Sequence, residues 1–468
     1  MIPYDYYNPN TAKYVKRTWG KHCNVLLFVS GDVDDELEPY VPVINSTDTW
    51  TLVQRGLMHA YRFYADQVDW FLRVEPSSFV VVENLRYMIG QRNYLPSQPI
   101  YFGYELENIV THKPFVHHQS GYVISREALR RYTNASKDPE NRECQHWQGY
   151  TEGLDIFRCL NHVNVTIAES RDELGNETFS PIAMDHHFLD GYNNIPWLHN
   201  LTYHKVPESY AYRHEHASIH IHRTWAKHCD HHLFVSDDVH PYLEPAVFLN
   251  LHDKWLRLRA HLEYVYKYHF DQGDWFLYAN DDNFVVVENL RDMLKSYSPD
   301  ELIYFGCKLR TPNGLVFMYE GSGIVFSGAA LKRFTLAALT NESICSSKGK
   351  GNEATEELGR CLTNVNVIAG NSRDEWQGHR FLPFEYDVHL GGQLNESLEL
   401  HKYFLSHSYY PVIDMNLPVS LRSICSHLNN INNIYDMYYF TYKVRVFGVP
   451  FDFESDHNNL WNRQHLHG

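Results

Sequence analysis

Short apolar runs alternate with longer amphipathic stretches along the whole chain. Val25–Ser30 (VLLFVS) and His232–Asp237 (HLFVSD) have the length and composition of buried strands. Each is followed by an amphipathic stretch, Thr49–Gln67 and His252–Gln272. In the second of these, Trp255, Leu256, Leu258, Leu262, Tyr266 and Phe270 return at roughly helical spacing. DWFL, a polar loop and FVVV then predict a strand–loop–strand passage; ENLRDML begins a helix, and IYFG is a further strand. Such alternation predicts α/β domains with a mostly parallel sheet covered on both faces. In sheets of that kind ligands bind beyond the carboxyl ends of the strands, which directs attention to the loop after DWFL.

The pattern occurs twice. RTWGKHC at Arg17–Cys23 returns as RTWAKHC at Arg223–Cys229, DWFL at Asp69 returns at Asp274, and FVVVENLR at Phe79 returns at Phe284. IYFG, RCL and SRDE recur in the same order, and the offset drifts only from 206 to 202 across the six pairs. Six ordered matches at one offset indicate a tandem duplication, with domains expected at residues 1–205 and 206–468. A period of about 205 residues is too long for a solenoid repeat.

Composition narrows the class. Hydrophobic residues at 44% supply real cores, and a balance of 41 Lys+Arg against 57 Asp+Glu (net −16) leaves no basic stripe for nucleic acid. The 34 Tyr and 30 His suit packed strands or sugar-stacking surfaces, and core packing is the simpler reading. No run reaches the roughly 18 apolar residues of a membrane span, and MIPYDYYNPN lacks a signal-peptide layout. Against a cytosolic reading stand seven N-x-Ser/Thr sequons, at Asn45, Asn134, Asn164, Asn176, Asn200, Asn341 and Asn395, and an even count of eight Cys. A secretory-pathway protein is expected, its targeting segment missing from this chain. Cys144 and Cys159 lie 15 apart, Cys345 and Cys361 16 apart, at matching places in the two copies. A disulfide in each copy is the simplest reading, worth about 3 kcal/mol for a loop of that size. Cys23, Cys229, Cys307 and Cys425 cannot be paired from sequence.

The second copy's loop after DWFL is Tyr278-Ala279-Asn280-Asp281-Asp282-Asn283. Two carboxylates in a sharp loop between apolar strands can hold a hard divalent cation against a diphosphate. Adjacent acids alone mean little, since about seven such pairs are expected here by chance. Position is what distinguishes this pair.

The order TWG, DWFL followed by an acidic loop, NLR, PIYFG, GYV-S, GRC, NV and SRD resembles the core 1 β1,3-galactosyltransferases, part of a wider β1,3-glycosyltransferase family that includes the fringe enzymes. Both copies carry the resemblance. It implies an α/β chain of two tandem GT-A-like (Rossmann-like) domains in the Golgi lumen, in a family of type II membrane proteins. It further implies inverting transfer of galactose from UDP-galactose to O-linked GalNAc on glycoproteins, with Mn²⁺. The implied ligands are Asp281 and Asp282 for the metal, and Asn280 and Asp281 for the nucleotide; Gly321 and Gly323, in the glycine-bearing segment, face the acceptor side. Trp19 and Trp225, in the TWG/TWA motif, can border a nucleotide pocket, although a buried Trp is more often core.

Departures from the family pattern are as informative. The first copy reads Glu75-Pro76-Ser77 at the metal triad, and Glu152-Gly153 where a Glu-Asp pair precedes GRC, so it is expected to be catalytically dead. In the second copy that pair falls on Ala354-Thr355, leaving Glu353 or Glu356 (or Glu357) to serve as base only after a register slip. The family's SFHY, whose His completes the metal site, aligns with Ser420-Leu421-Arg422-Ser423. Arg422 cannot ligate a metal but can fork onto a diphosphate; the alternative is an exposed residue in a decayed site. Two functions are therefore weighed: a galactosyltransferase active in its second domain, and an inactive pseudo-glycosyltransferase that partners an active homologue.

Overall fold

The computed structural model describes residues 9–30, 49–107, 113–146, 151–172, 175–183, 217–236, 246–249, 253–348, 354–391, 398–412, 418–428 and 433–445, with residues 2–3, 37, 40–42, 251 and 394. It divides into two compact units, Met1–Tyr212 with Val444–Gly468, and Arg213–Lys443.

In the first unit β1 (Ile2–Pro3), β2 (Phe28–Ser30) and β3 (Tyr40–Pro42) form a parallel sheet in that order. The main sheet uses β4 (Trp70–Arg73), β5 (Ile100–Gly103), β8 (Tyr122–Ser125) and β9 (Thr166–Ile167), in the order β4-β8-β5-β9. Between them β6 (Glu105–Glu107) and β7 (Pro114–Val116) make an antiparallel pair.

The second unit has a parallel pair, β10 (Phe234–Ser236) and β11 (Ala246–Phe248). Its main sheet is β12 (Trp275–Tyr278), β15 (Val316–Ser327), β14 (Ile303–Arg310) and β16 (Ile368–Ala369), again with the second and third strands out of sequence order. A further sheet joins β13 (Asn283–Val285), β18 (Cys425–His427) and β17 (Phe381–Leu382).

The chain is mixed α/β, but the main sheets are not mostly parallel. β15 runs antiparallel to both β12 and β14, and only β16 runs parallel to β14. The cause lies in chain length: residues 311–315 form a turn closed by Thr311 N–H to Leu315 O (2.9 Å), and so short a link forces a hairpin. The strand expected at Phe79–Val82 is also absent, because a helix starts at Val82. Its counterpart β13 is a strand through pairing with β18, and the first copy has no sequence equivalent of residues 425–427.

Each main sheet is covered by the helix that periodicity located. Trp50, Val53, Leu57 and Ala60 of Thr49–Tyr64 pack with Tyr101 and Ile124; Trp255, Leu258 and Leu262 of Lys254–His269 pack with Tyr304, Ile324 and Phe326. Ser125 and Ser327 cap the helices after β8 and β15, accepting from Ala128 N (3.1 Å) and Ala330 N (3.0 Å). The expected disulfides Cys144–Cys159 and Cys345–Cys361 are formed, while Cys23, Cys229, Cys307 and Cys425 are free thiols. Gly359, the Gly of GRC, lets its helix lie on β15: a Cβ there would stand 2.5 Å from Phe317 Cβ.

The repeated RTW-x-KHC and VENLR segments clasp one another in each unit. Arg86 Nη2 donates to His22 O and Arg291 Nη2 to His228 O, both at 2.8 Å. His228 Nδ1 also meets Glu288 Oε1 at 2.7 Å.

Several histidines are buried away from charge. Burial, reinforced by Arg73, lowers His117 to about 4 and His118 to about 3; burial likewise lowers His379 and His389 to about 4. The unfolded chain then binds more protons than the folded one between pH 6.5 and 4, so stability is full above pH 6.5 and falls as pH drops. For His117 the difference is worth up to about 3 kcal/mol. The melting temperature should fall between pH 7 and pH 4.5, and a His117→Asn, His118→Asn double variant should show a shallower fall. An unchanged slope in that variant contradicts the assignment.

Candidate functional site

β12 ends at Tyr278, and the chain turns through Ala279–Asp282 before entering β13. Asn283, fully buried, fixes this turn. Its Oδ1 accepts from Asn280 N (3.0 Å), its Nδ2 donates to Gly321 O (2.9 Å), and its own N–H returns to Asn280 O (3.2 Å). Trp225 closes the node from behind, its Nε1 donating to Asn283 O at 2.8 Å. Trp225 is thus a buried support for the loop, with its indole N–H engaged inside the protein, as a core role expects.

Gly321 and Gly323 lie where β15 bulges. Gly306 pairs with Ile324 but Cys307 pairs with Tyr319, so residues 320–323 are extruded from the ladder beside the loop. Gly323 has φ +77°, and a Cβ at Gly321 would lie 2.6 Å from the Tyr319 ring. Both glycines have a local backbone reason to be there.

Pairing of β13 with β18 sets Asn283 opposite His427, and Leu428 N–H donates to Asp282 O (2.7 Å). The result is the contact that matters most: His427 Nδ1 stands 3.5 Å from Asp282 Oδ2. Asp282 Oδ1 is buried without a hydrogen-bond partner among the described residues. Burial, then repulsion from Asp282, raises the Asp281 carboxyl above its ordinary value. Among the described residues no group of three His, Cys, Asp or Glu side chains is placed to cage a cation. The donors present fit a cation that takes two protein ligands and completes its shell with phosphate oxygens and water.

Residues 210–365 match the family described as Fringe-like. Over 244 residues, 51% of this chain, the sequence is 32% identical to glycoprotein-N-acetylgalactosamine 3-beta-galactosyltransferase 1 of Xenopus laevis. The similarity to Fringe-like proteins thus falls on the stretch that carries the acidic loop. The chain spans 65% of the length of that Xenopus relative.

The remaining expected site residues of the second unit lie elsewhere. Arg422 is exposed and directs Nη1 at Asp292 Oδ2 (3.4 Å), on the helix after β13. The register of β18 sets His427, five residues beyond Arg422, beside Asp282, so His427 is a second candidate for the place that the alignment gives to Ser420–Ser423. Sequence reasoning passed over Ser426-His427, although the Ser-His pair was legible. Glu356 accepts from Tyr403 Oη (3.2 Å) in the first turn of helix Ala354–Asn364, while Glu357 is buried against Arg360 (3.5 Å). Glu353 lies outside the described residues.

In the first unit, the corresponding strand end is filled by charge of its own. Arg73, fully buried at the end of β4, pairs with Glu152 and donates Nη1 to His118 O (2.8 Å). Tyr122 Oη donates to the other Glu152 oxygen at 2.8 Å. Trp19 Nε1 still donates to Ser78 O (3.1 Å), but Ser78 replaces the amide that organises the acidic loop of the other unit.

Replacing Asn283 with Ala strands the Asn280 N–H and the Gly321 carbonyl, at a cost of about 2–4 kcal/mol. Denaturant unfolding should register that loss, and amides of residues 280–282 should exchange faster with solvent. Unchanged exchange would show that the node does not hold the loop.

Proposed function

We propose that the second unit is a β1,3-galactosyltransferase acting from UDP-galactose on O-linked GalNAc of glycoproteins, with a divalent cation, Mn²⁺ or a similar hard ion. The observation that supports this is the Asp282–His427 juxtaposition at the end of β12, beside the acidic loop of the stretch similar to Fringe-like proteins. Asp282 and His427 would hold the ion, which supplies positive charge to the departing diphosphate when bound. Asn280 and Asp281, on the same turn, would face the nucleotide. The extruded segment 320–323 would border the acceptor.

The second unit carries most of the site by itself, and the first contributes no acidic loop: its strand end holds the Arg73–Glu152 pair. We read the two units as copies of one domain, the first having exchanged catalysis for internal charge pairing. Four sequons that can be inspected, Asn134, Asn164, Asn176 and Asn341, are all exposed, which suits a lumenal secretory-pathway location. Among the described residues no helix is long and apolar enough to cross a membrane.

One observation favours a second reading, a non-catalytic partner of an active homologue. Thr355 is buried where the base pair aligns, and the Glu356 carboxylate is engaged by Tyr403. An inverting transfer needs a base for the acceptor hydroxyl. Galactose transfer from UDP-galactose to a GalNAc-peptide, measured with the full chain and Mn²⁺, separates the two. The transferase reading expects product, with at least a hundredfold loss in Asp282→Ala and a loss on chelation. UDP binding without transfer identifies the partner reading; transfer that is indifferent to Asp282 overturns the site.

A further inference from the structure

The second unit carries a further polar cluster, at the far end of β14. Lys308 and Arg310 lie on this strand, which is bridged to the 408–410 segment through Leu309 and Ser408 and by Tyr409 N–H to Lys308 O (3.3 Å). That segment presents Tyr409 and Tyr410, their rings 5.0 Å apart and nearly perpendicular at 80°. Arg373, from the SRDE segment, lies 3.4 Å over the Tyr410 ring; Lys308 Nζ is 4.8 Å from the Tyr409 ring centre and Arg310 is 5.6 Å from it. Tyr410 is pinned in turn, its Oη donating to Asn371 Oδ1 at 2.8 Å.

Two features make this more than a surface of stray charges. First, none of the three cations has a carboxylate within ion-pair distance among the described residues, whereas Arg291, Arg360, Arg380 and Arg422 of the unit do. The neighbouring Asp374 is spent on its own turn, Oδ1 accepting from Gly378 N (2.6 Å) and Trp376 N (3.0 Å). Second, the cations repel: Lys308 is half-buried, and burial followed by the Arg373 charge depresses its pKa. Gathering like charges around two aromatic rings costs stability through their mutual repulsion, which cation–π contacts only partly offset.

We propose that Lys308, Arg310 and Arg373, arranged around Tyr409 and Tyr410, form a recognition site for a carboxylate-bearing sugar. Arg373 donates Nε to Asn371 Oδ1 (3.3 Å), which holds the stacked guanidinium in place and leaves its terminal N–H groups to fork onto a carboxylate. Tyr409, 37% exposed, offers an aromatic surface for the apolar face of a pyranose. A polyanionic peptide would be repelled by the −16 charge of the chain, while a single carboxylate on an otherwise neutral sugar meets the local cations at little cost. The site shares no residue with the acidic loop, so it stands whether or not the chain transfers galactose.

Calorimetric titration of the full chain tests this with a galacturonate-terminated oligosaccharide and its galactose-terminated counterpart. The acidic sugar should bind at least tenfold more tightly, and the preference should shrink as ionic strength rises. It should disappear in Arg373→Gln and in Lys308→Gln, and persist in Lys332→Gln, an exposed cation elsewhere on the unit; melting curves of the variants confirm that they are folded. Equal binding of the two sugars overturns the proposal, as does a preference that survives both substitutions. Selective binding of a glutamate-rich peptide over the acidic sugar, through the same residues, likewise overturns it in favour of a protein ligand.

Discussion

The architecture of the second unit turns on one buried amide. Asn283 ties three pieces of chain that are remote in sequence: the acidic turn through Asn280, the extruded segment of β15 through Gly321, and the 225–228 turn through Trp225. The Trp225 bond is buried and the other two are partly so, and the fully buried Asn283 amide would carry a desolvation cost if left unpaired. Asp281 and Asp282 therefore stand on a turn whose shape is set from beneath rather than by their own mutual repulsion. The same residue begins β13, and pairing of β13 with β18 delivers His427 to Asp282. Loop shape and ligand pairing thus share one support.

The two units show two answers to the charge problem at a strand end. The first places an arginine there and neutralises it internally: Glu152 is its ionic partner, the His118 carbonyl accepts from it, and Tyr122 donates to Glu152. A buried pair of this kind adds little net stability, but removing one partner strands a charge. The second unit has Tyr278 in place of Arg73, and leaves Asp282 with an unsatisfied buried oxygen. An internally closed site suits a structural role; one left open by an acceptor oxygen suits an external cation.

Much of this was legible in the sequence because it depends on local pattern. The amphipathic helices, the strand–turn–strand around Asp281 and Asp282, and both disulfides followed from periodicity and spacing. The sheet direction did not, since alternation of strands and helices says nothing about the five-residue link that folds β14 back onto β15. For Trp225 the motif shows an indole near the loop but not which way its N–H points; the structure turns it inward onto Asn283 O. His427 was not legible as a neighbour of Asp282, because only the pairing of β13 with β18 brings the two together.

Pulsed electron paramagnetic resonance of Mn²⁺ bound to the full chain with UDP tests the central claim, that Asp282 and His427 share a cation. The account predicts a directly coordinated nitrogen in the spectrum, lost in His427→Gln, and Mn²⁺ affinity at least tenfold weaker in Asp282→Asn. A spectrum free of nitrogen coupling, or Mn²⁺ bound equally well without either side chain, would contradict it.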